Sequence, residues 1–363
     1  LQDFHKILIC QQHQIGDVLL ATPCVRLLHE RFPQAELHFL TEQKCRPMLE
    51  NNPLLTKIWT IDKKAGLSGT MGLYSGLLRE RFDLAIDLQQ FVRLRLATLC
   101  SRAPVRLSYK PRWYNKLFYN RFGAVGKGYA AKAKAGVLEP LGVAWSGQPP
   151  ELHLTEEELA WGKQYLAKQG VDSSTMLMTL DMTHRRITRK WPAEYYARLL
   201  SMLAARHPRL RLFLLYGPGE EQEVRNIWQQ AGNPDGCILP EKQTTLREVA
   251  AIIRHAHAHF GNCSSPRHLA VAVGTPSMAV LGSNKPGSWT FPSPQHGYIR
   301  NERPGEYTCL GCNKSTCRLG TLECLYALTP ELVYERIRVF FHLDDPDRAI
   351  RERGDHACSR PAK

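Results

Sequence analysis

The residues best suited to chemistry lie near the N-terminus, in H-Q-I-G-D-V-L-L-A-T-P from His13 to Pro23, where Asp17 follows a glycine shortly after the apolar run Lys6 to Cys10. That run, K-I-L-I-C, has the composition of a buried strand, and the spacing from Val18-Leu19-Leu20 to Leu27-Leu28 suits a helix packed on a parallel sheet. Asp17 then stands at the start of a helix on the carboxyl edge of a strand, where open α/β sheets bind ligands. A carboxylate there has two uses. It can satisfy orphan amides of the new helix, or it can take a proton from a reacting hydroxyl as a general base. The segment alone leaves both open.

Three stretches in the second half also leave predicted strands at their carboxyl ends. Asp181 to Pro192, D-M-T-H-R-R-I-T-R-K-W-P, carries Thr183, Thr188, Arg189 and Lys190 just before a helix. Cations and hydroxyls beside a helix N-terminus suit a diphosphate. Gly217-Pro218-Gly219-Glu220 is a turn whose carboxylate can accept hydrogen bonds from ribose hydroxyls, or simply cap the turn. Gly261 to Pro276, G-N-C-S-S-P-R-H-L-A-V-A-V-G-T-P, opens an Ala/Val-rich helix whose first amides can hold a leaving phosphate. His268 on that helix reads either as a ligand contact or as a satisfied core histidine, and Trp191 and Trp289 read as packing residues.

The elements that position these residues follow from the apolar pattern. In the first half, strand-like runs at Lys6 to Cys10, Glu36 to Leu40, Lys57 to Ile61, Asp83 to Leu88 and Val105 to Tyr109 alternate with helical ones. In the second, Thr175 to Leu180, Arg209 to Tyr216, Gly236 to Leu239, His257 to Phe260 and Ser277 to Leu281 do the same, separated by helical patterns. Such alternation predicts βα units on mostly parallel sheets. The Gly/Pro-rich stretch Leu141 to Pro150, followed by the capping-box pattern Thr155 to Glu158, places a boundary between two Rossmann-like α/β domains, 1–150 and 151–341. Two such domains facing across a cleft suit a two-part ligand. Pro330 to Phe341 reads as a terminal amphipathic helix, and 342–363 as a polar tail.

At 363 residues, 43% hydrophobic and 23% charged, the composition is that of a soluble globular protein. No apolar run approaches a membrane span and no basic-then-apolar signal segment opens the chain, which leads to the expectation of a cytoplasmic protein. Lys plus Arg outnumber Asp plus Glu 48 to 34, so an anionic partner is expected. The excess concentrates between Asp87 and Glu139, where no acidic residue occurs and Arg93, Arg95, Arg102, Arg106, Lys110, Arg112, Lys116, Arg121, Lys127, Lys132 and Lys134 interleave with aromatics such as Trp113, Tyr114, Phe118 and Phe122. This stretch suits an anionic membrane surface or lipid-linked acceptor. A single-stranded nucleic-acid groove and a solvated basic face are the alternatives. No helix-turn-helix, zinc-finger or RNP-type motif supports nucleic acid. The first strand is not followed by G-x-G-x-x-G, which argues against a dinucleotide-dependent oxidoreductase.

Taken together, I-G-D-V-L-L-A-T-P, K-W-P and H-L-A-x-A-x-G-T-P, in this order from about Lys6 to about Phe341, resemble glycosyltransferase family 9, the heptosyltransferases of lipopolysaccharide core assembly. The resemblance implies the GT-B architecture and an inverting, metal-independent transfer from a nucleotide-activated sugar, commonly ADP-heptose, with no cofactor. It implies Asp17 as the general base, with Thr188 and Arg189 or Lys190 on the diphosphate, Thr183 beside them and Glu220 on the ribose. Asn262, Cys263, Ser264, Ser265 and His268 would hold the phosphates and donor sugar. Gly16, Arg93, Arg95, Lys110, Arg112 and Lys116 would then face a lipopolysaccharide core or lipid A-linked acceptor at the inner face of the inner membrane. The family pattern D-S-G or D-T-G, five residues before the histidine, is here Cys263-Ser264-Ser265, and the lysine two residues before W-P is Arg189. The first departure leaves three readings: Asn262 takes over the carboxylate's role, the donor sugar differs, or donor binding is impaired. It also motivates the alternative of a catalytically weakened relative that holds nucleotide-sugar or acceptor without turnover.

Of the eleven cysteines, Cys309, Cys312, Cys317 and Cys324 form C-x2-C-x4-C-x6-C before the last helix. Either they order the loop as free or disulfide-paired thiols, or they hold a structural zinc, for which the first pair has ligand spacing.

Overall fold

The computed structural model describes residues 3–110, 113–302, 309–345 and 347, and its contacts divide the chain into two units, Leu1–His153 and Leu154–Lys363. Each is built on a six-stranded sheet in which every pair is parallel. In unit 1 the strands are β1 (Lys6–Cys10), β2 (Glu36–Glu42), β3 (Lys57–Ile61), β4 (Leu84–Asp87), β5 (Val105–Tyr109) and β6 (Arg121–Gly123), in the order β3-β2-β1-β4-β5-β6. In unit 2 they are β7 (Met176–Asp181), β8 (Leu210–Leu215), β9 (Cys237–Ile238), β10 (Ala258–Asn262), β11 (Ser277–Val280) and β12 (His296–Ile299), in the order β12-β11-β10-β7-β8-β9. Both are the doubly wound Rossmann order. It reverses between β1 and β4 and between β7 and β10, and such switch points open a crevice at the carboxyl ends of the strands.

The β-branched and leucine-rich runs form the central strands because parallel strands are covered on both faces. Ile7 to Cys10 are all fully buried, and Met176 to Leu180 nearly so. Two edge strands, β6 and β12, lie outside the runs expected from the sequence. R-F-G and H-G-Y-I are short and pair on one side only, so they need no continuous apolar run. The helix expected over Val18 to Leu28 is instead two helices, Ile15–Leu19 and Thr22–Arg31. Pro23 explains the break: it has no N–H to continue the first helix and its fixed φ suits the first turn of the second. The Thr22 hydroxyl donates to the Leu19 carbonyl at 2.7 Å across the junction.

The capping box at Thr155 forms. The Glu158 amide donates to the Thr155 hydroxyl at 3.2 Å and the Thr155 amide to Glu158 at 2.8 Å. Glu158 also pairs with Arg247, tying the helix Glu156–Lys168 to the helix Leu246–His255. Thr155→Ala is expected to lower the unfolding free energy by about 1 kcal/mol. A denaturation midpoint equal to the parent's would show that the Arg247 pair holds this helix without its cap. The core of unit 2 centres on Trp191, which is fully buried, lies edge-on to Tyr196 at 4.8 Å and donates its indole N–H to the Leu328 carbonyl at 2.9 Å. Among the described residues no helix is long and apolar enough to cross a membrane.

Candidate functional site

In unit 1 the loop after β1 lies over the switch point. β1 and β4 pair so that Cys10 lies opposite Asp87, and the loops that follow each strand are bonded to one another. Gln89 accepts from the amides of Gln12 at 2.9 Å and His13 at 3.1 Å, and its own amide group donates to the His13 carbonyl. On the other side, the Glu42 amide and Thr41 hydroxyl donate to the Gln12 carbonyl, and the Gln12 side chain donates to Glu42 at 2.9 Å. Burial opposes ionisation of Glu42, but bonds from Lys63, Gln12 and Lys44 outweigh it and hold the carboxyl down to about 2. The backbone from Gln12 to Gln14 is therefore fixed before it delivers Asp17 to the helix Ile15–Leu19.

Asp17 is partly open to solvent, its side chain 31% exposed, and Gly16 before it is buried. The Gln14 amide donates to one Asp17 oxygen at 3.4 Å. The ammonium of Lys134 lies 3.5 Å from the other and donates to Gln11 at 2.8 Å. Capping and exposure thus coexist. The carboxylate is oriented by the helix start and stays partly exposed, with the Lys134 ammonium beside it.

Asp87, fully buried at the end of β4, supports this loop. Its carboxylate accepts from the amides of Gln89 and Gln90 at 2.9 and 2.8 Å and from the Tyr119 hydroxyl at 2.7 Å. Burial pushes the carboxyl up to about 6 against the pull of those bonds. The fold therefore favours the proton: the contribution is fully present below the ordinary value of 3.8 and is lost as pH rises through about 6. Asp87→Asn removes this titration. The parent's unfolding free energy, measured against the variant's, is expected to fall by about 2 kcal/mol between pH 4 and pH 7. Denaturant titrations at both pH values check it, and a pH-independent difference would contradict it.

The basic aromatic stretch divides between core and surface. Tyr119 and Tyr129 are buried, whereas Trp113 and Leu117 are 81% and 87% exposed on the turn Trp113–Phe118. Arg95 lies over the Phe118 ring at 5.4 Å and bonds Asn115, so it packs against this turn. Lys110 and Lys116 are exposed, Arg93 is half-buried, and Arg112 lies outside the described residues. Lys134 is the member of the stretch that reaches Asp17.

In unit 2 the loops after β7, β8 and β10 meet at the switch point. Thr183 donates its hydroxyl to Glu220 at 2.8 Å, and the Gly217 amide donates to the same oxygen at 2.8 Å. Asn262 clamps backbone: it accepts from the Trp191 amide at 2.9 Å and donates to the Thr183 carbonyl at 3.1 Å. Thr188 is buried and donates to the Lys314 carbonyl at 2.6 Å. The two cations differ. Lys190 pairs with Glu223, while Arg189 is half-buried, bonds Asn313 and stands 5.8 Å from the Trp289 ring. Burial, reinforced by Arg186, lowers the Arg189 pKa. A guanidinium in this setting is a site for an anion.

Ser264 precedes the helix Ser265–Val273 and donates its hydroxyl to Asp181. Burial pushes the Asp181 carboxyl up to about 7, opposed by the Ser264 bond and reinforced by Glu220. Cys263 packs with Ala279, Leu281 and Trp289, and His268 is buried with its ring 6.0 Å from Trp289. Arg267, also buried, donates to the Gly297 carbonyl at 2.7 Å and to Thr290 at 3.1 Å, anchoring this helix to β12. Sequence reasoning missed Lys134, Asp87, Gln89, Asp181 and Arg267. Lys134 carried a signal as a member of the basic stretch, and Asp181 as the acidic residue that opens D-M-T-H, but neither residue's partner was visible.

Cys309, Cys312, Cys317 and Cys324 are half-buried free thiols, and among the described residues no group of His, Cys, Asp and Glu is arranged to hold a metal. The four lie near one another, and Cys309, Cys317 and Cys312 reinforce the burial that raises the Cys324 thiol to about 11. What the loop does is support the site, since Asn313 and Lys314 are the partners of Arg189 and Thr188. A separate cavity of about 940 Å³ lies between β12 and the helix Pro330–Phe340; Gly297 lines it, whereas Arg189, Glu220, Ser264 and His268 do not.

Comparison with known proteins agrees with this geometry. A profile of glycosyltransferase family 9 (heptosyltransferase) matches residues 71–322. Lipopolysaccharide heptosyltransferase 3 of Escherichia coli is 26% identical over 286 residues, covering 76% of this chain and 82% of that protein. A glycosyltransferase family 9 structure from Veillonella parvula superposes with a TM-score of 0.81 at 19% identity, covering 94% and 98% of the two chains. The E. coli heptosyltransferase WaaC, solved with ADP, superposes with a TM-score of 0.71 at 18% identity over 92% and 99%. At these identities the structural likeness speaks for the fold.

Proposed function

The chain belongs to glycosyltransferase family 9, and from that premise we propose that it moves a heptose, or a related sugar, from ADP-heptose to a lipopolysaccharide core acceptor, with inversion and without a metal. The observation that carries the donor assignment is Arg189. It is a half-buried guanidinium bonded to Asn313 rather than to a carboxylate, at the sheet edge that also presents Glu220, Ser264 and His268. The WaaC structure with ADP and the name of the lipopolysaccharide heptosyltransferase support an adenine nucleotide and a lipopolysaccharide acceptor.

In this reading unit 1 supplies the base and the acceptor surface, and unit 2 holds the donor. An acceptor hydroxyl attacks the anomeric carbon from the face opposite the diphosphate and gives its proton to Asp17. The bond from the anomeric carbon to the phosphate oxygen breaks with its electron pair on oxygen, and ADP departs. Arg189 and the first amides of the helix Ser265–Val273 face that growing charge. Thr183 and Gly217 hold Glu220 for the ribose, and Thr188 holds the loop that carries Arg189. The exposed Trp113 and Leu117, flanked by Lys110 and Lys116, give a lipid-linked anionic acceptor a surface at the cytoplasmic face of the inner membrane.

The experiment offers the chain a panel of nucleotide sugars with a heptose-deficient lipopolysaccharide and reads nucleotide release, with and without chelator. Release with ADP-heptose that survives chelation is expected. Release only with another sugar would transfer the reading to that donor, and ADP binding without any release would favour a relative that binds and does not turn over.

A further inference from the structure

Ser264 occupies the N-cap position of the helix Ser265–Val273 with extended backbone, yet its side chain makes no cap bond. Among the described residues, the threonines at N-caps behave otherwise. Thr155, Thr245 and Thr329 each accept from the third amide of their own helix. The difference is Asp181: the Ser264 hydroxyl turns away from the helix and donates to the Asp181 carboxylate. Asp181 is brought there by the β7–β10 pairing, in which it lies opposite Gly261, and any side chain at 261 would meet the Asp181 carbonyl at 2.3 Å. The Tyr196 hydroxyl, donating to the Asp181 carbonyl at 3.4 Å, helps hold the strand end. Pro266 removes one amide from this first turn, so those of Ser265 and Arg267 are the ones available to an anion.

We propose that Asp181 is a positioning residue for the donor: it holds the Ser264 hydroxyl off the helix Ser265–Val273, keeping the first-turn amides open to a donor phosphate. The role rests on the donor-site reading of unit 2. Without Asp181 the hydroxyl rotates to accept from the Arg267 amide, as Thr155 does from Glu158, and a phosphate then has to displace that cap. A cap bond of ordinary strength corresponds to about a fivefold loss of affinity.

The test is calorimetric titration of the full chain with ADP, for the parent, Asp181→Ala, Ser264→Ala and the double variant. Asp181→Ala is expected to weaken binding about fivefold. Adding Ser264→Ala in that background is expected to tighten it about threefold or more, because no hydroxyl is left to cap, whereas Ser264→Ala in the parent does not tighten it. Losses that merely multiply in the double variant would overturn the role, since a packing defect at Asp181 is not cured by removing Ser264. Should Asp181→Ala not fold, Asp181→Asn decides: it keeps an acceptor for Ser264 and is expected to bind ADP within twofold of the parent, and a larger loss overturns the role. No ADP binding by the parent would overturn the donor-site reading and this role with it. Binding by the parent with multiplicative losses would overturn the role alone.

Discussion

Asp17→Asn is expected to lower turnover about 10²- to 10⁴-fold while leaving ADP affinity within about twofold of the parent. The reason is local to unit 1. Asparagine keeps the size of the side chain and an oxygen for the Gln14 amide, and the clamp of Gln89 on Gln12 and His13 does not involve position 17. What is lost is the group that takes the acceptor proton and the negative charge that faces Lys134 at 3.5 Å. Steady-state rates of nucleotide release, paired with calorimetric ADP binding, separate the two effects. Equal turnover in parent and variant would remove Asp17 from the chemistry, and a fall in ADP affinity alone would make it a donor contact.

Arg189→Ala is expected to reduce kcat/KM for the donor about 10²- to 10³-fold and to weaken ADP binding as well. Lys190→Ala is expected to lose less than about tenfold, because its ammonium is already paired with Glu223 and an exchanged surface pair contributes little. The sequence treats the two cations as equivalent neighbours before W-P, and the structure separates them by their partners. Arg189 is held by Asn313 from the cysteine loop and rests near the Trp289 ring. Initial rates over a range of donor concentrations, with ADP titrations, give both numbers for each variant. The reverse order of losses would move the diphosphate to Lys190.

What was legible before the structure follows from how each feature is encoded. The central strands are, because burial on both faces demands continuous apolar runs such as K-I-L-I-C and M-L-M-T-L. The edge strands R-F-G and H-G-Y-I are not, since one neighbour and little burial impose no such pattern. The helix break at Pro23 was readable in principle, but the leucine spacing across it masked the stop. At the site, Asp17, Thr183, Arg189 and Glu220 stand out because each belongs to a segment that directly follows a predicted strand. Lys134, Asp87 and Asp181 do not, because their roles come from partners distant in the chain: Lys134 with Asp17, Asp87 through Gln89 with His13, and Asp181 with Ser264. The same holds for the cysteine loop, whose spacing points to metal while its backbone and Asn313 reach residues 126 and 124 positions away.

The central claim is sugar transfer, and mass spectrometry of heptose-deficient lipopolysaccharide incubated with the chain and ADP-heptose tests it most directly. The account predicts that the acceptor gains one heptose residue with the parent and none over the same time with Asp17→Asn. An acceptor of unchanged mass, under conditions where ADP binds the parent, would contradict it.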